Sequence, residues 1–393
     1  MSEAETQRFE TSLIEGGLRN QPLAEMFDAF TTYLLDHGVR LNRAYFGMST
    51  RHPLIEAFDL TWESEEERLA QTQFDHSWQR SIAWTDSPLR HMILSSQPRM
   101  RRALQGPDAT LDFPLFGELN ARGFTDWYGA ISPFEATSIL DTPGSLGMAC
   151  SWSTAAAAGF AAADIALMDR LFPVFALAVK AAVMPAITRT LLGAYIGADA
   201  AERVWSGATS RGRIQRVEAA IFISDLRGFT AFAERTDSDT VMMALNRYFD
   251  LVGAAVSAEG GQILKFMGDG ILATFAAPGA DACERALRAA RAACRAVSRD
   301  ETVSLALGIA LHKGEVMYGN VGRPERLDFT MIGPAVNEAS RMEKLTKTLG
   351  CAILASDSFH AALDEGRALL ESVGEHPISG LSAPRALYRV AVE

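Results

Sequence analysis

Four cysteines in 393 residues, Cys150, Cys283, Cys294 and Cys351, form no CxxC pair and have no histidine at metal-ligand spacing. That scarcity argues against a disulfide-stapled secreted domain and a zinc-finger type of site, and the thiols read as reduced side chains of a cytosolic protein. Basic residues are in the minority too: 37 Lys and Arg against 48 Asp and Glu leave a net charge of −11. A general nucleic-acid or anionic-membrane surface would show a basic excess, so any polyanionic ligand must meet positive charge concentrated locally. The opening MSEAETQRFETSL lacks the basic and apolar segments of a signal peptide or anchor. The most apolar run, LFPVFALAVKAAVMPAI from Leu171 to Ile187, is short for a membrane span and carries Lys180 and Pro185. A buried helix is the expectation there. The chain is therefore expected to be cytoplasmic, with neither nucleic acid nor membrane as partner. What it has is an ordinary globular composition, 48% hydrophobic and 22% charged, at a length suited to two or three domains.

Apolar residues recur at helical spacing from about Leu13 to Val39, and RAYFGMST and LIEAFDLTW then read as strands around Arg51-His52-Pro53. Glu63 to Gly123 is polar and mixed. DWYGAISPF and GSLGMACSWS form a second expected strand pair, split by the turn-rich EATSILDTPG, and a long helix follows from Ala161 to about Thr190, with kinks expected at Pro173 and Pro185. His52 and Trp62 read as packing residues rather than cofactor ligands. LLGAYIGADAAERVWSG, Leu191 to Gly207, reads as one amphipathic helix ending at a glycine, and SRGRIQR as a polar basic linker.

The stretch ILKFMGDGILATF, Ile263 to Phe275, poses the functional question. Gly268-Asp269-Gly270 between two apolar runs is a hairpin signal, but a lysine inside the first run, Lys265, would be costly to bury unpaired. A bound ligand would account for it. Upstream, VEAAIFISDLRGFTAFAERT reads as a strand ending in Asp225, a break at Gly228 and a helix. An aspartate so placed can hold a metal while the turn's N–H groups cradle phosphate, although alone it is more often a helix cap. If the hairpin lies beside that strand, Asp225 and Asp269 converge. Two hard carboxylates suit two Mg²⁺ ions and phosphoryl transfer. Further on, SLALGIALHKGEVMYGNVG reads as two strands around Lys313-Gly314, and RLDFTMIGPAVNEASRMEKL as strand, turn and helix. Asn337 and Arg341 fall one helical turn apart, on one face.

The region from Arg213 to Glu393 resembles the catalytic domain of the class III nucleotidyl cyclases in FISDLRGFT, ILKFMGDGILATF, GIALHKGEVMYGNVG and TMIGPAVNEASRM, taken in family order and spacing. The resemblance implies that Asp225 and Asp269 ligate two Mg²⁺ or Mn²⁺ ions, and that Lys265 and Thr330 select the base. It further implies that Asn337 orients the ribose and Arg341 stabilises the transition state. The backbone around Leu226, Gly228, Phe229 and Thr230 would hold the triphosphate. It also implies a homodimer with active sites at the interface. Lysine only donates and matches adenine N1, while a threonine hydroxyl can accept from the 6-amino group, so ATP is favoured over GTP. Thr330 stands where many adenylyl cyclases of this class have aspartate and resembles a subgroup containing bicarbonate-responsive enzymes. Ser379 stands where family members often place a phosphate-binding lysine.

The expected fold class is mixed α/β (α+β). Residues 1–187 resemble a GAF-like sensory domain open to an unknown small-molecule effector, 188–212 form a helical transmitter, and 213–393 form a mostly antiparallel catalytic domain flanked by helices. The expected activity is adenylyl cyclase. A guanylyl or dual-specificity cyclase, or a degenerate cyclase serving as a nucleotide-binding scaffold, are the alternatives.

Overall fold

The computed structural model describes residues 3–392 apart from 65–67, 135–145, 211, 213 and 277–280; the turn expected at EATSILDTPG lies outside the described residues. The chain divides into two compact units, Met1–Leu191 and Leu192–Glu393. The division falls inside the stretch read as a transmitter.

In the first unit, α1 (Glu3–Leu18) and α2 (Leu23–Asp36) are separated at Asn20, which takes a positive φ of 54°, and at Pro22, the residue preceding α2. Strands β1 (Arg43–Ser49), β2 (Ala57–Glu63) and β3 (Arg68–Phe74) follow as expected for the first two. The mixed segment then resolves into short elements: α3 (Ile82–Thr85), α4 (Pro88–Leu94), β4 (Arg99–Ala103) and α5 (Pro114–Ala121). Ser87 caps α4 by accepting from the Arg90 N–H, with Pro88 at the first helical position, where its missing N–H costs nothing. β5 (Asp126–Pro133) and β6 (Gly147–Thr154) complete a six-stranded antiparallel sheet of order β3-β2-β1-β6-β5-β4.

The alternation of buried and half-buried residues along β1 sends Ala44, Phe46 and Met48 into the main core of this unit. The long helix α6 (Ala162–Ile196) contributes Leu167, Leu171, Phe175 and Val179 to the same core. By length and composition α6 is apolar enough to cross a membrane. Pro173 and Pro185 lie inside it. The single helix expected over Leu191–Gly207 is not observed. α6 ends at Ile196, Gly197 takes φ 85°, and a separate helix α7 (Ala198–Trp205) begins. A side chain at Gly197 would be strained by that φ and would come within 3.2 Å of the Ile263 carbonyl, so the break is built into the glycine.

The second unit is a sheet of eight strands. Its elements are β7 (Ile214–Arg227), α8 (Phe229–Ala233), α9 (Ser238–Ala258), β8 (Gln262–Met267), β9 (Gly270–Phe275) and α10 (Asp281–Arg299). There follow β10 (Ala306–Arg323), β11 (Arg326–Ile332), α11 (Pro334–Thr348), β12 (Ile353–Ser356), α12 (Asp357–Ala361), β13 (Leu370–His376) and β14 (Arg385–Val390). The order is β13-β14-β12-β10-β7-β9-β8, with β11 paired to β10. All neighbours are antiparallel except β10 and β12. One face buries β7 and β9 under α9 and α10, and the other packs Ile221, Leu272 and Val316 against Ala335 and Ala339 of α11.

Two expectations are corrected here. Lys313-Gly314 is not a turn: β10 is one continuous strand that pairs with β7 from Ala306↔Arg227 to Gly319↔Ile214, with Gly314 opposite Ala219. The glycine serves packing, because a Cβ there would stand 2.7 Å from the Ala335 methyl. Nor is Lys265 buried. β8 ends the sheet path and is mostly exposed, so the cost of an uncompensated charge does not arise.

Candidate active site

The β7–β9 ladder sets Asp225 opposite Gly270, and the preceding turn carries Asp269. Gly268 takes φ 68°, the left-handed conformation the hairpin needs. Gly270 leaves room for the carboxylate: a Cβ there would meet Asp225 Oδ1 at 3.3 Å and the Ser224 carbonyl at 3.0 Å. Behind the site, Ser224 and Tyr248 of α9 share a buried hydroxyl hydrogen bond of 2.8 Å, which ties the strand end to the helix.

Burial first, then the neighbouring charge of Asp269 and a hydrogen bond with it, push the Asp225 carboxyl up to about 6. The Leu226 N–H and the charge of Lys344 pull it back. Two carboxylates held this close repel, and a cation relieves the repulsion. Among the described residues no group of three His, Cys, Asp or Glu is placed to hold a metal. The donor set is therefore a pair of carboxylates with the rest of the shell left to backbone, water or ligand oxygens. Mg²⁺ is commonly bound in that way beside phosphates. The residues present fit that ion.

Beyond Asp225 the strand breaks at Gly228, φ 78°, which caps α8. The first N–H groups of a helix have no intrahelical acceptor, so Phe229 and Thr230 present donors at the end of the strand that holds Asp225.

A second group forms around β8 and β11. The Lys265 ammonium is ion-paired with Asp328, and both side chains are about half exposed. Asp328 and Thr330 lie two apart on β11, hence on the same face. A third pair sits on α11, where Asn337 is exposed and Arg341 half-buried. The Arg341 guanidinium lies against Gly380, whose added Cβ would fall 2.7 Å from Nη1. Ser379 beside it is exposed. Among the described residues no hydrogen bond or ion pair joins the Asp225–Asp269 pair to Lys265, Asn337 or Arg341. The structure thus brings the two aspartates together, and separately Lys265 and the strand that carries Thr330.

Two residues escaped sequence reasoning. Glu343 on α11 is buried, and burial, followed by the charge of Asp225, raises its carboxyl to about 7. A signal existed, because 343 falls four after Ala339 and three before Thr346, on the face that packs inward. Asp328 is the other, and nothing local in RLDFTMI marks Lys265 as its partner.

Residues 213–390 match the family model described as the adenylate and guanylate cyclase catalytic domain. An adenylate cyclase of Anabaena cylindrica is 34% identical over 165 residues, 40% of this chain and 32% of that protein. An uncharacterized protein of Mycobacterium tuberculosis is 34% identical over 206 residues, 50% of this chain and 36% of its own length. The chain spans about a third of the length of the curated relatives it matches. Among solved structures, a bacterial light-regulated adenylyl cyclase is similar with a TM-score of 0.47 and 25% identity, covering 54% of this chain and 64% of that one. The guanylyl cyclase Cya2 gives 0.41 and 30%, covering 45% of this chain and 93% of that one.

Proposed function

We propose that the cyclase catalytic domain at residues 213–390 is an adenylyl cyclase that converts ATP to 3′,5′-cyclic AMP and pyrophosphate. The observation that carries the reading is the convergence of Asp225, at the end of β7, and Asp269, in the β8–β9 turn, beside the N–H groups that open α8. In the reaction the ribose 3′-oxygen bonds to the α-phosphorus, the bond from that phosphorus to the α,β-bridging oxygen breaks, and the 3′ proton departs. Two Mg²⁺ or Mn²⁺ ions held by Asp225 and Asp269 would lower the pKa of the 3′-hydroxyl and stabilise charge on the leaving group. The backbone from Leu226 through Gly228, Phe229 and Thr230 orients the triphosphate. Asn337 positions the ribose, and Arg341 offsets charge that builds on the α-phosphoryl oxygens. Lys265 donates to adenine N1 and Thr330 accepts from the 6-amino group.

The site is built across a homodimer, with the aspartates from one chain and Lys265, Thr330, Asn337 and Arg341 from the other. Exposed Met242, Met243, Phe266 and Met267, at 43–60%, offer an apolar surface for the second copy. The first unit acts as a GAF-like sensor of a small molecule, and residues 188–212 transmit its state. Bicarbonate is a further candidate effector, suggested by Thr330. The protein is read as cytoplasmic. Ser379, neutral and exposed, favours a second reading, a nucleotide-binding domain without turnover.

Incubating the purified chain with ATP or GTP, with and without Mg²⁺ or Mn²⁺, and quantifying cyclic products separates these. Metal-dependent cyclic AMP exceeding cyclic GMP is expected. Cyclic GMP in excess identifies a guanylyl cyclase, and nucleotide binding without product supports the scaffold.

A further inference from the structure

We propose that Asp328 is a specificity-determining positioning residue that holds the Lys265 ammonium toward the purine and, while so engaged, is withheld from guanine. The inference rests on the reading that Lys265 and Thr330 contact the base. β8 ends the sheet path and β11 pairs only with β10 among the described strands. The Lys265–Asp328 ion pair spans these two strands. Asp328 pairs with Val321 and Thr330 with Gly319 in the β10–β11 ladder, so their side chains share a face two positions apart.

The chemistry of the three groups is then complementary. An ammonium has three donors; one goes to Asp328 and the others remain for an acceptor such as adenine N1. Untethered, a lysine on its four-carbon stem samples many rotamers, and ordering it on substrate binding costs entropy. The carboxylate also has a latent role. Freed of Lys265 it offers two acceptor oxygens, which match the N1–H and 2-amino donors of guanine. The pair is thus a lock in which Lys265 presents a donor and masks an acceptor of the opposite preference. Discrimination then depends on two residues that reject the wrong base as well as attract the right one.

Steady-state constants for ATP and GTP in Asp328→Asn, Asp328→Glu, Lys265→Met and the double variant Lys265→Met/Asp328→Asn test this, with melting temperatures to confirm folding. Exposed ion pairs are individually weak, so Asp328→Asn should raise the KM for ATP about two- to fivefold, with a smaller change in kcat. Asp328→Glu, which keeps the carboxylate, should recover most of it. Lys265→Met should raise the GTP-to-ATP ratio of kcat/KM roughly tenfold, because an exposed acceptor replaces a donor. The double variant should lose that gain. If Asp328→Asn leaves both KM and the GTP-to-ATP ratio unchanged, or if the single and double Lys265→Met variants have equal ratios, the inference is overturned. The cyclase reading then still stands on wild-type turnover of ATP. A wild-type chain that forms no cyclic nucleotide overturns the reading and the inference together.

Discussion

Asp225 faces Gly270 across the β7–β9 ladder, and a methyl group on Gly270 would stand 3.3 Å from the aspartate's Oδ1 and 3.0 Å from the Ser224 carbonyl oxygen. Relief of both contacts requires the end of β7 that carries Asp225, or its carboxylate, to shift by a few tenths of an ångström. Gly270→Ala should therefore fold and bind nucleotide yet lose on the order of tenfold to a hundredfold in kcat, the cost of displacing a positioned group. Gly193→Ala, where an added methyl meets nothing within 4 Å, is the control. Wild-type kcat in a folded Gly270→Ala chain would remove Asp225 from the chemistry.

Asp199 of α7 accepts from Tyr318 Oη at 2.7 Å and from Arg203 Nε at 2.7 Å, and the Arg203 guanidinium stacks 5.2 Å over the Tyr318 ring. Asn320 donates to the Ala208 carbonyl at 2.6 Å and accepts from the Gly212 N–H at 3.1 Å. Tyr318 and Asn320 flank Gly319, the ladder partner of Thr330. A chain beginning at residue 213 loses every one of these contacts, whereas one beginning at 192 keeps them. The shorter chain should melt several degrees lower and differ in basal turnover. Equal melting and equal rates would leave the segment without a transmitting role.

His312 is buried, with Nδ1 2.8 Å from Ser356 Oγ. Burial holds the imidazole below the ordinary histidine range; the charge of Glu338 on α11 opposes the shift and that of Arg385 on β14 adds to it. A depressed folded-state value means that the unfolded chain binds the proton more readily. This contribution is complete above about pH 6.5, the unfolded histidine value, and is lost as pH falls from there through the lower folded-state value. The melting temperature of the wild type should drop a few degrees more between pH 7.5 and 5.5 than that of His312→Gln. Parallel pH profiles would contradict the assignment.

The strand around Phe46 is legible because its alternation is a local property, those around Trp127 and Cys150 because each is a short apolar run bounded by turn residues, and the helix carrying Asn337 and Arg341 is legible too. Gly314 is not. Lys-Gly in a polar context reads as a turn, and only the packing of Ala335 against β10 explains a glycine in mid-strand. Lys265 was misjudged as buried because edge position depends on the order of strands brought together from distant parts of the chain. Its partner Asp328 is 63 residues away. The break at Gly197 hides in the sequence, since a helix tolerates an isolated glycine and only the φ of 85° marks the stop. Asp225, Asp269, Asn337 and Arg341 come together as a set only through the resemblance, while the partial burial of Asp225 and its repulsion by Asp269 are visible only in three dimensions.

Two groups of residues that stand apart within one chain are proposed to act on a single nucleotide at the interface of two copies. Mixing two inactive proteins distinguishes that arrangement from a site within one chain. Asp225→Asn removes one group's carboxylate and Arg341→Ala the other group's cation, so each homodimer should have a rate at least a hundredfold below wild type. A heterodimer assembles one intact site and one doubly altered site. Cyclic AMP production in the co-expressed, tagged and purified heterodimer should recover to about half the wild-type rate if the sites are independent. A heterodimer that forms and shows no activity above that of either parent would contradict the account.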